Sequence, residues 1–108
     1  MIYEWRVYEI APGKAQALHD RFASGALPIW EKYGIKVVGF WTYLIGGPSD
    51  HLVYMLEWES LEQREKLFPA FQNDPEWVKI RAETEKDGSL VTRMYNSFLR
   101  PTPYSPMK

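Results

Sequence analysis

The chain contains no cysteine. Disulfides, zinc–thiolate centres and a cysteine nucleophile are therefore excluded. Histidine is scarce too: His19 and His51 stand far apart, so no metal and no cofactor is expected. There is no excess of either charge, since 13 Lys and Arg against 14 Asp and Glu give a formal net charge of -1. The basic footprint of a nucleic-acid binder is missing. No apolar run is long enough to cross a bilayer. A strand-like pattern begins at Ile2, so no signal or transit segment is expected before it. These absences point to a cytoplasmic protein with no nucleic-acid and no membrane partner.

Aromatic residues are plentiful. They make up 16% of the 108 residues, and apolar residues 45%, enough for one domain with a packed core. "IYEWRVYEI" (2–10) reads as a strand rich in aromatic and β-branched residues. "APGK" is a turn. Ala15, Leu18, Phe22, Ala26, Ile29 and Tyr33 then recur at helical spacing. Pro28 removes a hydrogen bond and crowds the carbonyl of Ser24, so a kink or break is expected near Ser24 to Leu27. Gly34 ends the helix.

Two strands follow, "IKVVGFWTYLI" (35–45) and "HLVYMLEWES" (51–60), joined by the turn cluster "GGPSD". Ser60 with Gln63 forms a capping-box pattern that starts a helix. Leu61, Leu67, Phe68 and Phe71 supply its apolar side, and Pro69 limits or bends it. Asp74 and Pro75 start another helix as cap and first residue. "LVTRMYNSFLR" (90–100) is the last strand. Three prolines keep the tail, 101–108, out of a regular sheet. The order is βαββαβ, with a second helical piece before the last strand. It predicts an α+β, ferredoxin-like domain over residues 1–100, with helices on one face of a four-stranded antiparallel sheet.

Strand alternation raises a question of cover. Tyr3, Trp5 and Val7 share one face of the first strand, and Ile2, Glu4, Arg6, Tyr8 and Ile10 the other. Val37, Trp41 and Tyr43 oppose Val38, Phe40 and Leu44, and the third strand is likewise apolar on both sides. Helices cover one face only. An apolar patch of this size on the other face implies a partner. The simplest is a second copy, sheet against sheet, in a homodimer.

Several residues are candidates for chemistry. Glu4, Arg6 and Tyr8 share a face, and buried charge needs partners; Glu57, or Arg93 from the last strand, is a candidate. The cluster reads either as an ion-pair network that sets register or as the polar end of a ligand pocket. In the second case Arg6 binds a carboxylate or carbonyl, Tyr8 donates a hydrogen bond and Glu57 joins them. His19, at the edge of the first helix's apolar face, is a candidate general base or a boundary residue packing its ring. Trp41 and Tyr43 are candidate walls for a planar ligand, and equally core filling. Gly39 leaves a gap beside them that a ligand or a bulge would explain.

The segments "YEWRVYEIAPGK", "LPIWEKYGIKVVGFW", "YMLEWESLEQRE" and "NDPEW", in this order and spacing, resemble the NIPSNAP family from Ile2 to about Phe98. The resemblance implies a dimeric α+β barrel, two ferredoxin-like units packed through their sheets. It also implies kinship with cofactor-independent monooxygenases, haem-degrading enzymes and isomerases, without an agreed activity for NIPSNAP proteins themselves. Three functions follow as expectations. The first is binding of a small hydrophobic or aromatic molecule between sheet and helices. The second is a cofactor-free monooxygenase or isomerase with Arg6 and Tyr8 orienting substrate and His19 moving a proton. The third is a structural or protein-interaction module. Haem degradation fits less well, because 60–86 contains no histidine.

Overall fold

A computed structural model describes residues 1–108. The elements, in chain order, are β1 (Ile2–Ile10), α1 (Ala15–Arg21), a π-helical turn (Phe22–Ala26), α2 (Leu27–Tyr33), β2 (Lys36–Trp41), β3 (His51–Trp58), α3 (Leu61–Gln72), α4 (Pro75–Thr84) and β4 (Val91–Leu99). The four strands form one antiparallel sheet in the order β2-β3-β1-β4. This is the ferredoxin-like arrangement, as the sequence pattern predicts.

Residues 15–33 form one continuous rod rather than a broken helix. Pro28 has no N–H to give to Ser24, and the chain absorbs the defect by widening to a π-turn. There the Leu27 N–H donates to the carbonyl of Phe22, and the Ser24 hydroxyl donates to the Asp20 carbonyl at 2.7 Å. Gly25 sits inside the π-turn, buried against α4. A Cβ added to it would stand 3.3 Å from Ile80 Cγ2, so glycine lets the rod and α4 approach closely. Gly34 ends the rod in the left-handed region, at φ 73°. The Ile35 N–H then returns to the Trp30 carbonyl at 2.9 Å. The capping box holds: Ser60 Oγ accepts from the Gln63 N–H at 3.1 Å, and Gln63 Oε1 accepts from the Glu59 N–H at 2.7 Å. Pro69 does not end α3, which continues to Gln72. Of its expected apolar side, Phe68 and Phe71 are buried, while Leu61 is exposed.

The main core lies between the rod, β3 and α3, with Trp30, Tyr54, Leu56, Trp58, Phe68 and Phe71 at its centre. The second predicted strand is shorter than its apolar run suggests. It stops at Trp41, and Leu44 and Ile45 lie in the connecting loop, 95% and 91% exposed. The register of β2 shifts between Val37 and Gly39, so that Val37 pairs with Leu56, Gly39 with Met55 and Phe40 with Tyr54. The bulge moves Val37 out of the file of Trp41, contrary to simple alternation.

Glu4, Arg6, Tyr8 and Ile10 face the helices. Tyr3, Trp5, Val7, Val53, Met55, Trp41, Tyr95 and Leu99 share the other face by register. The chain measures 45 × 37 × 19 Å, and the short dimension is that of two layers. On the outer sheet face Trp41, Tyr95 and Leu99 are 46%, 42% and 44% exposed, while Tyr3 and Val53 are buried.

Asp74 ties α4 to the rod. Its Oδ1 accepts from the N–H groups of Glu76 and Trp77 at 2.9 and 3.3 Å. Its Oδ2 accepts from the Tyr33 hydroxyl at 2.7 Å and Lys32 Nζ at 3.1 Å. The Tyr33 and Lys32 bonds hold its pKa down from 3.8 to about 2. A carboxylate whose pKa falls on folding stabilises above its unfolded pKa, and that contribution is lost as pH falls through the folded value. The Asp74→Asn variant keeps a capping oxygen but not the charge. Melting curves should show it several degrees less stable at pH 7, with a shallower loss than the wild type between pH 4 and 2. Parallel acid branches would remove Asp74 from this role.

Candidate functional site

The buried polar cluster starts from β1. Strand alternation turns Glu4, Arg6 and Tyr8 toward the helices, and β3 adds Tyr54 and Trp58, partners of Arg6 and Ile2 in the register. Glu4 is fully buried, and its carboxylate accepts five hydrogen bonds. Oε1 receives Trp58 Nε1 at 3.1 Å and Arg64 Nε at 3.2 Å. Oε2 receives Arg6 Nη1 at 2.7 Å, Asn96 Nδ2 at 3.0 Å and Arg64 Nη2 at 3.3 Å. Burial alone would raise the pKa of Glu4, but Arg64, Asn96 and Arg6 together hold it below the ordinary value. One carboxylate thus faces two guanidiniums.

Arg6 extends the cluster outward. Its Nε donates to the Tyr54 hydroxyl at 2.6 Å and its Nη2 to the Tyr8 hydroxyl at 3.3 Å; the two hydroxyls are 2.9 Å apart. The guanidiniums of Arg6 and Arg64 lie 5.0 and 4.6 Å from the centre of the Phe68 ring. Burial opposes the charge on Arg6, but the tyrosine oxygens and Glu4 outweigh it and raise its pKa. Burial, reinforced by Tyr8, raises the pKa of Tyr54 well above that of free tyrosine, so both residues keep their protons at neutral pH.

Beside this cluster an open cleft of about 410 Å³ runs between β1, β4 and the helices α3 and α4. Arg6 and Tyr8 line its inner end, and Phe68, Phe71, Trp77, Val91 and Met94 supply apolar surface. The cleft exists because the helices leave the inner side of β4 bare: Met94 and Phe98 are 42% and 43% exposed. Arg21 and Arg81 stand on the helix side. Arg21 Nη1 donates to Glu85 Oε2 at 3.0 Å and Thr84 Oγ1 at 3.2 Å, and Arg81 Nε is 3.9 Å from Glu85 Oε1.

The other candidates lie elsewhere. His19 and Trp41 line a separate cleft of about 350 Å³ with Phe22, Leu27, Phe40 and Leu52; Phe22 packs on Tyr8 from that side, at 5.9 Å between rings. Trp41 also folds back over Gly39, where an added Cβ would meet its ring at 2.8 Å, and approaches Trp5 at 5.9 Å. The gap at Gly39 is filled by the chain's own indole. Tyr43 lies in the loop after β2, 6.5 Å from the His51 ring. Glu57 pairs with Tyr3 and Lys36 on the outer face. It is one residue out of phase with Trp58, so it cannot be the partner of Glu4 and Arg6. Arg93 pairs with Glu9 and lies over the Tyr95 ring at 5.2 Å, so it does not join them either. The actual partners are Arg64, Asn96, Trp58 and Tyr54. Of these, Tyr54 and Trp58 were readable as inward positions of β3. Trp77 and Arg81, four apart on α4, carried the signal for the cleft's far wall.

The sequence matches the NIPSNAP family over residues 3–106, and the chain belongs to that family. No curated protein matches it. Among solved structures, an uncharacterised NIPSNAP-like domain protein from Burkholderia xenovorans is 27% identical, with a TM-score of 0.82 over 97% of this chain and 88% of that one. A NIPSNAP family protein from Agrobacterium tumefaciens is 24% identical, with a TM-score of 0.87 over 99% and 98%. An antibiotic biosynthesis monooxygenase shares 8% identity and a TM-score of 0.63 over 95% and 100%; that likeness is one of fold. No helix is long and apolar enough to cross a membrane.

Removing the charge of Glu4 should leave Arg6 and Arg64 buried without a counter-ion. Glu4→Gln is expected to lose about 3 kcal/mol in urea denaturation at pH 7. Glu65→Gln, at the exposed carboxylate 3.0 Å from Arg64, should stay within about 0.5 kcal/mol of wild type. Equal losses would mean that burial of the pair does not matter.

Proposed function

We propose that this NIPSNAP domain binds a small molecule with an apolar or aromatic body in the cleft between β1, β4, α3 and α4. The observation that carries the reading is the position of Arg6. A buried guanidinium, held by Glu4 and two tyrosines, forms the polar end of an open cleft whose other walls include Phe68, Phe71 and Trp77. Apolar walls with a few convergent polar groups are the general pattern of ligand sites. A network serving stability alone has no need of the adjoining 410 Å³.

A second reading, a cofactor-free oxygenase or isomerase, draws on His19. It belongs to the smaller cleft with Trp41, bordered by the π-turn, a distortion common at functional sites. Since His19 and Arg6 line different clefts, this reading has no acid–base partner beside Arg6.

The outer sheet face supports a homodimer. A chain of 12.7 kDa with ordinary compactness exposes about 6200 Å²; this one exposes 7047 Å². Packing Trp5, Trp41, Tyr95 and Leu99 against the same residues of a second copy would bury the excess.

Native mass spectrometry of gently purified protein should show twice 12.7 kDa, about 25.4 kDa, carrying a small mass lost on denaturation. Ser89→Trp, an exposed position lining the β4 cleft, should abolish that extra mass while the melting temperature stays within a few degrees. A bound mass that survives the substitution would move the ligand out of this cleft. Trp41→Glu should give a folded monomer by light scattering at micromolar concentration. A persistent dimer would put the interface elsewhere.

A further inference from the structure

Resting on the cleft reading above, the geometry points to a ligand of one chemical class, and we propose a small carboxylate with a flat apolar body. The Tyr8 hydroxyl is its inner hydrogen-bond donor, and the charge of the cleft walls selects the anion.

The argument starts from the protons. Arg6 has five N–H donors. One goes to Glu4, one to Tyr54 and one to Tyr8. Both tyrosine oxygens therefore accept from the same cation, and they are also 2.9 Å from each other. Only one hydroxyl can donate across that gap. Were Tyr8 to donate to Tyr54, the Tyr54 proton would be stranded, because Tyr54 is completely buried and its hydroxyl has no other partner than Tyr8 and Arg6. A buried donor left unpaired is costly. The favoured order runs Tyr54 O–H to Tyr8 oxygen. That order leaves the Tyr8 proton free, and Tyr8 is the one of the pair that lines the cleft. Its oxygen accepts from both Arg6 and Tyr54, and accepting bonds polarise a hydroxyl and strengthen it as a donor. The inner end of the cleft thus demands a hydrogen-bond acceptor.

Charge narrows the class. Arg6, Arg21 and Arg81 line the cleft against Glu85. Arg93 lines it too, and behind them Arg64 faces Glu4 and Glu65, so five guanidiniums stand against three carboxylates. An anion is favoured there and a cation disfavoured. Phe68, Phe71 and Trp77 complete a surface suited to a flat body. Acceptor, negative charge and apolar body together describe a small carboxylic acid in its ionised form.

Four probes of one size separate this inference from the reading beneath it: phenylacetate, phenylacetamide, 2-phenylethanol and 2-phenylethylamine. Each is titrated into the full chain, following the Trp77 indole N–H by NMR. Phenylacetate is expected to bind at least tenfold more tightly than the amide or alcohol, with the amine weakest. Tyr8→Phe should cost phenylacetate about tenfold. Arg81→Gln, an exposed change that leaves the core intact, should narrow the acid-to-amide ratio. An amide that binds as well as the acid would overturn the anion assignment and leave the cleft reading standing. Acid selectivity that ignores both substitutions would overturn the roles of Tyr8 and the arginines. If no probe of any charge moves the Trp77 signal, the cleft reading fails and the inference with it.

Discussion

One buried carboxylate organises this structure. Glu4 sits on the central strand pair, and its two oxygens gather donors from β1, β3, β4 and α3. Placing a carboxylate out of water is expensive unless every lone pair is used and its charge is met. Here five N–H bonds do so, three of them from the two guanidiniums. The consequence is geometric as well as energetic: Arg64 draws α3 down onto the sheet, and Asn96 ties the bare edge strand to the centre. Arg6 is pinned in turn, and with it the tyrosine pair that faces the cleft.

The helix layer is positioned by small local devices. Pro28 forces the π-turn, and Gly25 within it admits Ile80 and Trp77 of α4 to close contact. Asp74 caps α4 and reaches back to Tyr33 and Lys32. Together these pull α4 toward the rod, away from β4. The inner side of β4 is left uncovered, and that shortfall of helix over sheet is the cleft. Its contents follow from what each bordering element presents: aromatic rings from α3 and α4, arginines from the rod and α4, and the polar end from β1.

Two clefts, one lined by Tyr8 and the other by the Phe22 that packs on it, also separate two chemical ideas that the sequence leaves together. Arg6 with Tyr8 belongs to the larger cleft, and His19 with Trp41 to the smaller. His19 and Arg6 do not meet in one cleft within one copy of this chain. The polar end of the Arg6 side is a guanidinium and two tyrosine hydroxyls, with no histidine.

Much of the fold was legible from local rules. Strand alternation, the Ser60 and Asp74 caps, Gly34 and the βαββαβ order act over a few residues, so composition and spacing reveal them. Alternation also marked Glu4, Arg6 and Tyr8 as one cluster. What it could not give was the cluster's partners. Arg64 and Asn96 lie 60 and 92 residues from Glu4, and Glu57 was excluded only by the phase of β3. The bulge beside Val38 and the early end of β2 were equally hidden, because a one-residue register change leaves no mark in composition. The sequence by itself determined the elements, their order and the inward set of β1, since these depend on short-range sterics and periodicity. Tertiary structure alone decided which charges meet and where a cleft remains, because both depend on how distant elements pack.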